Sequence, residues 1–62
     1  MTREEVKPAI AAAIRNLEEA DGTIGVILDR GPTTGFQRAR LKEAWGEVTA
    51  ALQALVAAEA ED

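Results

Sequence analysis

The sequence predicts an all-α protein: a helical hairpin that assembles into a homo-oligomeric helical bundle. Three observations carry that expectation. Apolar residues recur at alternating steps of four and three along two long segments. A stretch bearing Gly and Pro separates the two segments. The chain has only 62 residues, and although 47% are apolar, many of those are Ala. Alanine raises helix propensity without filling volume. A core this small needs a staple or a partner, and with no Cys no disulfide staple exists. Most of the large apolar residues are therefore expected between chains.

The first helix is expected over about 2–28. Thr2 and Glu5 have the spacing of a capping box, in which each side chain satisfies a free backbone N–H of the first turn. Glu4 and Glu5 also suit the positive end of the helix dipole. Pro8 lies beyond that first turn, so it deletes one hydrogen bond and can kink the helix. A later start, with Pro8 as the first helical residue, is the competing reading. The seam runs Val6, Ile10, Ala13, Leu17, Ala20, Ile24, Ile27. It passes Gly22 and Gly25 without losing phase, although interior glycines cost about 1 kcal/mol each relative to Ala. That phase favours a continuous or bent helix over a break at Gly22. A strand over 23–28 is the alternative; Thr, Ile and Val suit it, but no partner strand is visible.

Residues 29–35 read as the loop. Gly31 fits the left-handed position that ends a helix, and Pro32 prevents continuation. The second helix is expected over about 35–58, opened by Thr34 with Gln37 three residues on, a second capping box. It carries Leu41, Trp45, Val48, Leu52 and Leu55 on its seam. Ala44, Ala51 and Ala58, one heptad apart, form a small-residue edge that admits another helix closely. The acidic tail 59–62 is expected to fray. A dimer giving a four-helix bundle is the simplest closure, and a higher ring is also open.

Composition excludes much chemistry. The chain has no His, no Cys and no Ser. No imidazole base, thiolate nucleophile or serine triad can be built, and no His or Cys metal ligands are available. The expectation is that the protein is not an enzyme and holds no metal or cofactor. Glu18, Glu19 and Asp21, and separately Glu59, Glu61 and Asp62, are carboxylate clusters without an EF-hand pattern; they read as a solvated face and a tail. No apolar run approaches the roughly 20 residues of a membrane span. The start, Met1-Thr2-Arg3-Glu4-Glu5, lacks the form of a signal peptide. The expected location is cytoplasmic, with no membrane partner.

The charge distribution points to the loop end. Arg30, Arg38, Arg40 and Lys42 fall in thirteen residues without an Asp or Glu, a stretch of +4, while the remainder is −8 and the whole chain −4. Overall acidity argues against general nucleic-acid binding, and the basic patch argues against an acidic nucleic-acid mimic. A helix start is a ready anion site, and Arg matches phosphate oxygens with a planar fork. Arg30, Thr33, Thr34, Arg38 and Arg40 are therefore the candidate ligand-binding residues, for a phosphate or carboxylate. The bland reading is that the arginines pair with Glu18, Glu19, Glu43 or Glu47 of a neighbouring chain and that Thr34 is only a cap. The loop is not a Walker motif: Gly35 is followed by Phe36, with no Gly-Lys-Thr/Ser. Trp45 reads as a core anchor before a base-stacking residue; Phe36, off the strict seam, is the better stacking candidate or a plug over the loop.

The run Leu41-Lys42-Glu43-Ala44-Trp45-Gly46-Glu47-Val48-Thr49-Ala50-Ala51 resembles the second long helix of the phage-encoded anti-CBASS sponge proteins. That family helix has the form Leu-x-x-Gly-Phe-x-x-Leu-x-Arg-Ala. Leu41 and Ala51 match, and Ala44, Trp45 and Val48 are conservative replacements. Ala50 stands where the family has Arg, so the contact made by that Arg does not carry over. The resemblance covers eleven residues of 62. It implies a small helical homo-oligomer that sequesters a cyclic-oligonucleotide signal. The function expected is thus non-catalytic sequestration of a small phosphorylated ligand at sites between chains. The alternative is a small protein-interaction module, inhibitor-like or antitoxin-like, that docks through a helix face.

Overall fold

A computed structural model describes residues 1–61. Two helices, α1 (Arg3–Arg30) and α2 (Gly35–Ala60), pack side by side as a hairpin, with no strand among the described residues. The fold is all-α, as the heptad spacing requires. The hairpin measures 44 × 17 × 14 Å, close to the length of one 28-residue helix at about 1.5 Å per residue.

The start of α1 differs from the sequence reading. Thr2 is the N-cap residue with extended φ and ψ, but its side chain makes no cap hydrogen bond. Only backbone closes this turn, with the Glu5 N–H donating to the Thr2 carbonyl at 3.1 Å. The helix starts at Arg3 and not at Pro8, so Pro8 lies inside it. Its missing N–H leaves the Glu4 carbonyl without the usual donor from four residues on.

α1 then runs unbroken through Gly22 and Gly25. The alternative strand over 23–28 does not form. Thr23 finds its hydroxyl partner within the helix, donating to the Glu19 carbonyl at 3.0 Å. α1 extends to Arg30, and the loop shrinks to Gly31, Pro32, Thr33 and Thr34. Gly31 is not left-handed: its φ is −75° and ψ 141°. Pro32 explains this, because a proline pushes the preceding residue into extended conformations. Gly31 is instead required for close approach. Its N–H donates to the Ile27 carbonyl at 2.8 Å, and a Cβ there would sit 2.7 Å from the same oxygen.

The second capping box forms as read. The Gln37 N–H donates to Thr34 Oγ1, and the Thr34 N–H donates to Gln37 Oε1, both at 3.0 Å. α2 continues to Ala60, two residues into the tail expected to fray.

Packing is thin. Leu28 is the one buried apolar residue among those described, and it lies off the seam. The seam residues Ile10, Ala13, Leu17, Ala20, Ile24 and Ile27 of α1, and Leu41, Val48, Leu52 and Leu55 of α2, are only half-buried. Trp45 remains 39% exposed, so the single hairpin does not enclose it. A ring that long, on a helix with only one partner, can lie across that partner but cannot be enclosed by it. Phe36 is 76% exposed.

Candidate functional site

The loop end of the hairpin carries an open depression of about 630 Å³, lined by Ile27, Gly31, Pro32, Thr33, Phe36, Gln37, Arg40 and Leu41. Its walls are mostly apolar. Ile27 and Leu41 are the last and first seam residues of their helices. Pro32 and Phe36 are added by the loop and the first turn of α2. The short loop brings these together, because Pro32 forces an extended path and the Thr34–Gln37 box starts α2 at once.

Of the five residues singled out by charge and position, Thr33 and Arg40 line this depression. Arg30, Thr34 and Arg38 are not among its lining residues. The Thr34 hydroxyl is committed to the cap. Arg30 and its neighbour Asp29 approach to 3.5 Å, both well exposed. Arg40 pairs with Glu43 at 3.0 Å on the surface of α2. Such exposed pairs are weak and leave the cation available.

Arg38 has a different task. Its guanidinium donates to the Leu28 carbonyl at 2.8 Å, in a partly buried position. Leu28 is in the last turn of α1, where carbonyls lack intrahelical donors. Arg38 thus caps one helix while standing at the start of the other. Its charge is unfavourable at the positive end of the α2 dipole, and the negative end of α1 offsets that conflict. The sequence reading places Arg38 among the residues for an external anion, whereas its guanidinium meets a carbonyl of the same chain. No local signal distinguishes an external anion from a carbonyl brought in by the hairpin turn.

A smaller depression of about 200 Å³ lies at the opposite end, lined by Arg3, Val6, Lys7, Ile10, Ala58 and Glu61. Spacing gave no hint of it, since it exists only where the two helix termini meet. Among the described residues no group of three or more Asp or Glu is placed to hold a metal ion. Nor is any helix of those residues long and apolar enough to cross a membrane. Comparison with protein-family models, curated proteins and solved structures finds no match to this chain.

Proposed function

We propose that this chain is a non-catalytic helical binding module that works by docking its half-buried seam residues against further helices. One observation carries this reading: two long, well-formed helices bury Leu28 alone. Every large seam residue keeps an uncovered side. Burial of apolar area is the main favourable term in folding, and here it is left incomplete along both seams. The absence of His, Cys and Ser supports a role without covalent or acid–base chemistry.

Hydrogen exchange of the chain alone at sub-micromolar concentration tests the reading. Weak protection of the seam amides, rising with concentration or with an added partner, is the expected result. A monomer protected throughout both helices would overturn it.

A second reading is favoured by the loop-end depression. Thr33, Arg40 and the exposed face of Phe36 could together take a ligand with a flat apolar part and a phosphate, the ligand class that the resemblance of the second helix implies. A thermal-shift screen with cyclic nucleotides and inorganic phosphate tests it. A rise in melting temperature that Arg40→Gln abolishes supports it, and no shift with any of these compounds sinks it.

A further inference from the structure

The two depressions lie at opposite ends of the hairpin and share the same helix stripes. On α1 both are bounded by the stripe that runs from Val6 and Ile10 to Ile27; on α2 both are bounded by the heptad stripe from Gln37 and Leu41 to Ala58. By heptad phase both therefore face the same side of the hairpin, one at each end.

The chain exposes 4744 Å². A compact protein of its mass exposes about 3,900 Å², so this elongated hairpin carries roughly 850 Å² more surface than a compact fold, about the area one partner contributes to a standard interface.

Charge fixes the orientation. At the loop end, residues 29–43 hold four cations against two carboxylates. At the open end, residues 3–7 and 59–61 hold two cations against four carboxylates. Like ends side by side repel, and unlike ends attract. Shape agrees. Phe36 is exposed at the loop end, and the open end offers a hollow in which Val6, Ile10 and Ala58 are flanked by Arg3, Lys7 and Glu61.

We propose that a second copy of this chain docks antiparallel along this face, each copy seating its Phe36 ring in the open-end hollow of the other. This rests on the docking reading above and names the partner, its orientation and its anchor. The product is a two-fold symmetric four-helix bundle, in which each contact is made twice.

The test uses the full chain with single spin labels at Gly35→Cys or Ala60→Cys, which is clean because the sequence has no Cys. Helix α2 has 26 residues and is about 39 Å long. Sedimentation at micromolar concentration should give a dimer. Pulsed dipolar distances between two Ala60→Cys labels should lie near that helix length, and those in a mixture of the two variants should fall below about 20 Å, the range of neighbouring helices. Phe36→Ala should keep its helicity at high concentration and weaken dimerisation roughly tenfold or more, as an interface anchor does. Short distances between like labels, a mass above the dimer, or unchanged dimerisation of Phe36→Ala would each overturn the proposal while leaving the docking reading intact. So would a poorly protected monomer, which needs some other helix. A well-protected monomer would overturn both.

Discussion

The Trp45 indole Nε1–H donates to Asp21 Oδ1 at 2.6 Å, linking residues 24 positions apart across the hairpin. One turn further along α1, a Cβ built on Gly25 would lie 3.5 Å from Trp45 Cζ2, so the ring rests over that glycine. Asp21 and Gly25 are four residues apart and share a helix face. The first anchors the polar edge of the indole, and the second gives its flat body room.

Trp45→Phe keeps most of the ring and removes the donor. It should cost about 1 kcal/mol, below the 1.5–3 kcal/mol range of hydrogen bonds to charged groups because the pair is partly exposed. Asp21→Ala should cost a similar amount, and the double mutant little more than either single one. Denaturant unfolding of the four proteins, all at one fixed concentration, checks this.

Arg38→Gln should destabilise the protein by about 1–2 kcal/mol, since it removes a charged donor from a carbonyl beside the buried Leu28. Arg40→Gln should change stability by less than about 0.5 kcal/mol, because its ion pair is exposed. Thermal melts of the two variants side by side should separate them clearly. Equal midpoints would show that the Arg38 cap contributes nothing.

The glycines should respond in opposite directions. Gly22 and Gly46 are helical, lack positive φ and have open space where a Cβ would go. Each change to Ala should stabilise by up to about 1 kcal/mol. Gly31→Ala should destabilise by about 1–3 kcal/mol, because its Cβ would collide with the Ile27 carbonyl. Melting temperatures decide the signs, at about 4–8 °C per kcal/mol for a domain near this size.

The two threonine caps should also part company. Thr34→Ala breaks a reciprocal capping box and should cost about 1 kcal/mol. Thr2→Ala removes a side chain that makes no cap bond and should cost no more than a few tenths. Far-UV circular dichroism through the thermal transition reads both.

What the sequence determined by itself was everything that depends on periodicity and on neighbours within a turn. The four-three spacing set two helices, carried the first through Gly22 and Gly25 in phase, and marked the half-buried seam. The Thr34–Gln37 pair set the start of α2, and Pro32 set the turn. These are short-range interactions, and the residues that make them are adjacent in the chain. The tertiary structure alone decided where the long polar side chains went. Arg38 and the Leu28 carbonyl are ten residues apart, and Trp45 and Asp21 are 24 apart. Nothing in either local pattern names the other partner, because an arginine or an indole accepts any suitably placed oxygen. Which oxygen it meets depends on how the loop rotates one helix about the other. The same rotation left Leu28, off the seam, as the single buried residue among those described, and left Trp45 lying across α1 rather than enclosed.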